Sequence, residues 1–376
     1  MKLVYLQETA WPSIGGIQIQ SMRALLALRR RGYEPTVISS YAGEDLPAYD
    51  EVHGIPVYRL PFRRALAGRD IEAVIRCRSE LARLKRELRP DVIQVNFSGP
   101  SGYFLLATAV SNDPPVVMAV RHPVDALASS DDALINRLLR AATWVTGNSR
   151  ATLDAARSAV PEIDSRSSVI LNGLPVPDAV PAELSFEPPE LLCLGRLVHD
   201  KGFHTAVEAF AIIRRRFPTT RLTIAGDGPD RPILENQVRA LGLEEAVRFT
   251  GWVKPEDVAA KINGASIVLM PSREESFGLV ALESGFMARP VVASRVGGLP
   301  EVVRHGETGF TVTRDDPEAL AEAAMRLLED PERARRFGKA GREHGLATFS
   351  LERYVDQYDS LYRRLAGSRA GHRKAG

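Results

Sequence analysis

Cysteine is scarce: the chain of 376 residues has two, Cys77 and Cys193, both among apolar neighbours. No disulfide framework follows, and a reducing, cytoplasmic compartment fits. Long apolar runs are missing as well; none approaches the ~20 residues that a membrane span needs. The N-terminus carries one Lys and a short apolar run, the pattern of a first strand rather than a signal peptide. Neither sign of charge dominates. Lys and Arg number 49 against 47 Asp and Glu, a net +2 that is too small to argue for a nucleic-acid partner. No Asp-x-Asp occurs, so a carboxylate-bound divalent metal is not indicated. The seven His are scattered, with no zinc spacing to Cys. The first apolar run is not followed by Gly-x-Gly-x-x-Gly, which removes the dinucleotide-dependent dehydrogenases.

What remains is a globular composition, 44% hydrophobic and 26% charged, of a length suited to two or three domains. Strand-type apolar runs cover residues 3–6, 36–39, 57–60, 91–96, 115–121, 144–147 and 169–171. A Pro-rich segment, 175–189, follows; runs then resume at 191–195, 222–226, 247–250, 267–270, 291–293 and 310–312. Helical spacings separate them. This alternation predicts parallel sheets covered on both faces. Two similar α/β halves are expected, with the ligand in the crevice between them at the carboxyl ends of the strands. Domains are predicted at 1–178 and 179–349, then a helix over 350–366 and a small, polar, disordered tail over 367–376. Asp316-Pro317-Glu318 and Asp330-Pro331-Glu332 predict two capped helix starts.

Residues 59–89 hold ten Lys or Arg against four Asp or Glu, and Val74, Cys77, Leu81, Leu84 and Leu88 recur at helical spacing. An amphipathic helix with a cationic outer face is predicted. Such a face is most often simply solvated. Peripheral contact with a membrane surface or an anionic acceptor is the sharper alternative, to which Arg63, Arg64 and Arg69 would contribute.

The chain is organised around residues 267–300. A strand-type run stops at Pro271-Ser272, helical spacing covers 277–288, and a second strand-type run follows. Ser276 is predicted to cap the helix. The amides of Phe277, Gly278 and Leu279 would then lack intrahelical partners and face an anion. Glu275 precedes this start and Glu283 lies one to two turns beyond it, with seven residues between the two. Two Glu around a surface helix are ordinarily solvated charges. A ligand that fitted would have a phosphate in its middle and hydroxyl-rich groups at both ends, as a nucleotide-sugar does.

Other loops at strand ends carry compatible chemistry. Gly195 and Arg196 lead to Lys201-Gly202, two fixed cations that would clamp a diphosphate; a salt-bridged loop is the plainer reading. Gly226-Asp227-Gly228 ends another run, and Gly251-Trp252-Val253 a third, where backbone could read a nucleobase edge. Gly297-Gly298 ends a fourth. Four Gly-containing turns at strand ends of one sheet argue for a lined site.

These motifs, in this order, resemble those of the retaining GT-B glycosyltransferases of family 4, over nearly the whole chain and most strongly from Leu191 to Gly309. The resemblance implies a GT-B fold: two Rossmann-like, doubly wound α/β domains facing across a cleft, with a C-terminal helix crossing back to the first. It implies that the second domain binds a UDP- or GDP-sugar and the first most of the acceptor, be it glycan, lipid or small molecule. Arg196 and Lys201 would hold the diphosphate, Glu283 the ribose, and Glu275 with the amides after it the transferred sugar. Gly15-Gly16 matches a loop near the diphosphate. His122 matches a His at the sugar, although Arg121 before it and Pro123 after it depart from the usual pattern. Transfer with retention and without a divalent metal or cofactor is expected. The alternatives are a nucleotide-sugar epimerase of the same fold and a non-catalytic nucleotide-sugar binding protein. Localisation is expected to be cytoplasmic, with peripheral contact at the inner membrane face as a further option.

Overall fold

Buried aliphatic runs bounded by turn residues form the strands. The computed structural model describes residues 1–374 except 12–14, 42–45, 69, 97–98, 123–129 and 131. The chain divides into two units, Met1–Gly173 with Leu351–Gly376, and Leu174–Ser350.

The first unit holds β1 (Lys2–Thr9), β2 (Glu34–Ser40), β3 (Tyr49–Val52), β4 (Ile55–Leu60), β5 (Val92–Val95), β6 (Val116–Val120), β7 (Trp144–Gly147) and β8 (Ser167–Val169). Their order in the sheet is β3-β4-β2-β1-β5-β6-β7-β8. All pairings are parallel except β3 with β4. Side chains alternate between the faces. Val4 and Leu6 enter a core with Cys77, Leu81 and Leu84 of the helix Ile71–Leu88. Leu3 and Tyr5 enter the other core, with Leu25 and Leu28 of the helix Gly16–Arg30. The C-terminal helix Leu351–Lys374 covers that same face. Its Tyr354, Val355, Tyr358, Leu361 and Tyr362 form one buried stripe at helical spacing.

The second unit holds β9 (Glu190–Leu194), β10 (Arg221–Ala225), β11 (Val247–Gly251), β12 (Ile267–Met270), β13 (Val291–Ser294) and β14 (Gly309–Val312). The sheet is all parallel, in the order β11-β10-β9-β12-β13-β14. The strand order reverses between β9 and β12, the place where doubly wound sheets open a crevice. Both cysteines are free and buried, and burial pushes the Cys193 thiol well up. Asp316 and Asp330 cap their helices as expected, accepting from the amides of Ala319 at 2.8 Å and Arg333 at 2.9 Å.

The structure corrects several expectations. The tail predicted as disordered is helical to Lys374. Residues 367–374 contain no proline, and Arg, Ala and Lys among them favour the helix. The cationic face of residues 59–89 is smaller than its composition suggested. Arg59 is buried in β4, donating to the carbonyls of Trp11 and Pro47. Lys85 is buried too, 2.6 Å from Asp113 and 2.8 Å from the Thr108 carbonyl. Strand β3 was not foreseen. It pairs with β4 through the two-residue turn His53-Gly54, where φ is 51° and 74°, the geometry that suits a tight hairpin. Arg69 and Pro123 lie outside the described residues.

Candidate active site

The site is built on the carboxyl ends of β9 and β12, neighbours across the reversal of strand order. Residues 195–202 follow β9 and bring Arg196 and Lys201. Residues 271–278 follow β12 and bring Glu275, Ser276, Phe277 and Gly278. The two loops are tied by backbone, since the amides of Arg273 and Glu274 donate to the Asp200 carbonyl at 2.8 and 3.3 Å. Lys201 Nζ then lies 2.5 Å from Glu275 Oε2. The Phe277 amide reaches Glu275 Oε1 at 3.5 Å, the outer limit of a hydrogen bond. Cation, carboxylate and loop amide, predicted separately, thus meet. Lys201 keeps further donors for a ligand, because an ammonium has three. Arg196 is exposed on the same loop, its carbonyl accepting from the Val198 amide at 2.9 Å, and its side chain has no ion pair or hydrogen bond among the described residues.

The helix after this loop starts later than expected. It spans Leu279–Phe286 and its cap is Gly278, at φ 103°, not Ser276. A side chain at Gly278 would be strained there and would meet Leu299 Cδ2 at 2.6 Å. The amides lacking intrahelical acceptors are therefore those of Leu279, Val280 and Ala281. Phe277 is buried and packs edge-on against Phe349, centroids 5.5 Å apart, which anchors the loop. Glu283 is half-buried four residues past the helix start, about 6 Å along the axis.

The neighbouring loops stack onto these two. The Gly195 amide donates to the Ala225 carbonyl at 2.9 Å, the Leu197 amide to the Asp227 carbonyl at 2.9 Å, and the Gly226 amide to the Gly251 carbonyl at 2.8 Å. On the other side the Gly298 amide donates to the Glu275 carbonyl at 3.1 Å. The Asp227 carboxylate serves its own turn, accepting from the Gly228 amide at 2.8 Å and from Arg231 at 3.2 Å. Trp252 is exposed and Val253 half-buried beside them. One continuous polar rim results, running from the end of β11 to the end of β13.

The remaining predicted residues belong to the first unit. Gly15 caps the helix Gly16–Arg30, which follows β1 where that sheet reverses order. His122 follows β6, and burial holds its pKa below the usual 6.5. Arg121 is fully buried, donating to Gln20 at 2.9 Å and to the Tyr354 hydroxyl. Its charge thus ties the C-terminal helix to the sheet. Arg63 is committed as well: its Nε donates to the buried Glu8 at 2.7 Å. Sequence reasoning missed Arg273, His199 and Asp315, which cluster with one another on and beside the loops that bear Lys201 and Glu275. Nothing in their spacing signals a cluster, because 42 residues separate Arg273 from Asp315.

Known sequences and structures place this geometry. A profile described as Glycosyltransferase Family 4 matches residues 14–176, and one described as Glycosyl transferases group 1 matches residues 180–344. The glycogen synthase of Mycobacterium tuberculosis (strain CDC 1551 / Oshkosh) is 32% identical over 307 residues, 77% of this chain and 73% of that protein. The alpha-D-kanosaminyltransferase of Streptomyces kanamyceticus is 37% identical over 177 residues, about half of each chain at 47% and 46%. Sucrose-phosphate synthase from Thermosynechococcus elongatus superposes with a TM-score of 0.83 at 24% identity, over 98% of this chain and 100% of that one. Anabaena HepE in complex with UDP-glucose gives 0.76 at 22% identity, over 96% and 99%. These two likenesses concern the fold. With both halves matched and one relative spanning most of both chains, the protein belongs to the family 4 glycosyltransferases, of the GT-B fold.

Proposed function

We propose that this glycosyltransferase moves a hexose-type sugar from a UDP- or GDP-sugar to an acceptor hydroxyl, with retention at the anomeric carbon and without a divalent metal. One observation carries the reading: Lys201 Nζ at 2.5 Å from Glu275 Oε2, across β9 and β12 and beside a helix start. In the reaction the anomeric C–O bond to the diphosphate breaks and one to the acceptor oxygen forms on the same face. The acceptor proton passes to the departing phosphate oxygen. Negative charge grows on the diphosphate, and Lys201, Arg196 and the amides of Leu279, Val280 and Ala281 would offset it. Glu275 orients Lys201 and meets the sugar. Glu283 takes the ribose hydroxyls, and Trp252 and Val253 lie where the base edge would be read. The family resemblance further assigns Gly15 and Gly16 to the diphosphate and His122 to a hydrogen bond with the sugar. Among the described residues no three His, Cys, Asp or Glu side chains gather as metal ligands.

The acceptor side involves the helix Ile71–Leu88. Ile71 and Ile75 are exposed, at 75% and 57%, and Arg76, Arg78, Arg83 and Arg86 are exposed along the same helix. Arg76 and Arg83 are paired with acids on their own helix. The surface therefore supports weak peripheral contact with an anionic membrane on the cytoplasmic side. Among the described residues no helix is long and apolar enough to cross a membrane.

The test is a panel of UDP- and GDP-sugars read by thermal shift and slow donor hydrolysis. One donor at a hundred times its Kd should stabilise by about 2.7 kcal/mol. A panel in which no donor shifts the Tm and none is hydrolysed refutes the proposal.

A further inference from the structure

A second set of side chains shares the loops of the Lys201–Glu275 pair. His199 and Lys201 share one turn of 3-10 helix, His199–Lys201. Arg273 and Glu275 share the facing loop. Arg273 Nε donates to Asp315 Oδ1 at 2.6 Å, and its Nη1 contacts the His199 ring. Asp315 follows β14, so this guanidinium joins the loops after β9, β12 and β14. Arg314 returns the contact, its Nη1 donating to the Arg273 carbonyl at 3.4 Å. His199 stacks flat on His204, centroids 5.9 Å apart and planes within 6°. His204 Nε2 lies 3.9 Å from Asp315 Oδ1, which closes the cluster.

Two details separate this cluster from an ordinary surface ion pair. Asp315 holds φ at 58°, a left-handed conformation that costs a non-glycine residue energy. The fold retains that conformation at the residue whose carboxylate meets Arg273. The Arg273 backbone, moreover, donates to the Asp200 carbonyl, between His199 and Lys201. Main chain and side chain of one residue therefore both grip the turn that presents Lys201. A guanidinium suits this role because its planar fork bonds in two directions at once.

We propose that Arg273 is a positioning residue. Held by Asp315, it fixes the turn bearing Lys201 against the loop bearing Glu275, so that the ammonium stands ready for the donor diphosphate. It acts through Lys201 and does not itself touch the donor. This inference rests on the proposed role of Lys201.

The test titrates UDP and GDP against the full chain and its variants, and measures KM and kcat with whichever donor the parent uses. Arg273→Ala should weaken nucleotide diphosphate binding and raise the donor KM, each about tenfold. Arg273→Lys should recover part of both, since it keeps a cation for Asp315. Asp315→Asn should move binding in the same direction as Arg273→Ala, and the double variant should lose no more than Arg273→Ala alone. Should Arg273→Ala fold poorly, Asp315→Asn is read in its place, and its binding like the parent overturns the proposal. Arg273→Ala with Kd and KM within twofold of the parent also overturns it, whatever its Tm. Lys201→Ala is measured alongside. If it binds and turns over like the parent, the underlying reading of the site has failed. If Lys201→Ala loses function and Arg273→Ala does not, the positioning role alone has failed.

Discussion

Replacing Lys201 with Ala removes the ammonium that stands 2.5 Å from Glu275 Oε2. If that ammonium offsets charge on the leaving diphosphate, kcat should fall by roughly 10²–10³, the scale for one lost donor of this kind. At ~1.36 kcal/mol per tenfold this is about 2.7–4 kcal/mol of transition-state stabilisation. The cost in stability should be smaller. The pair is partly open to solvent, 29% for the Lys201 side chain and 13% for Glu275. A contribution of about 1 kcal/mol is expected from such a pair. In a unit the size of Leu174–Ser350 that lowers Tm by about 2–4 °C. The variant therefore stays folded at assay temperature, and unfolding cannot imitate a hundredfold loss. The assay is single-turnover release of nucleoside diphosphate at saturating donor, for Lys201→Ala, Glu275→Gln and the double variant. Because the two side chains touch, their effects should not add. Turnover of Lys201→Ala within threefold of the parent refutes the charge argument.

Other outcomes follow from the same geometry. Activity should persist in excess EDTA; complete loss that Mg²⁺ restores would overturn the metal-free route. Gly226→Ala should destabilise by about 3 kcal/mol or more, because a Cβ there falls 1.8 Å from the Gly195 carbonyl oxygen. Gly242→Ala, also at positive φ but in open space, is the comparison; equal Tm losses in the two would refute the packing argument. Burial lowers the pKa of His344, whose Nε2 lies 3.0 Å from the Glu301 carbonyl. A folded pKa below the unfolded 6.5 gives stability that is present above pH 6.5 and lost as pH falls through the folded value. The Tm should drop on acidification below pH 6.5, and less steeply in His344→Gln; an equal slope in both would remove His344 from the account.

Much of the fold was legible because its strands are short, parallel and buried on both faces. Such strands read as unbroken apolar runs, and β7 and β12 begin and end where those runs do. Helix starts at Asp316 and Asp330 were legible because a cap bonds within three residues. Strand β3 was not, since Asp50 and Glu51 sit on an edge and carry no apolar run. The cap at Gly278 was missed because serine caps by local propensity, whereas the left-handed turn there is set by packing against Leu299.

Residue order alone therefore determined the α/β alternation, the two halves and the loops that would bear Arg196, Lys201, Glu275 and Glu283. These rest on interactions within a few residues and on apolar periodicity, both of which can be read along a line. Only the tertiary structure decided which charges meet. Lys201 finds Glu275 74 positions away, and Lys85 is taken inside by Asp113. The reason is physical: a charge's fate depends on what lies within a few ångströms, and a parallel sheet brings together loops that the sequence keeps far apart.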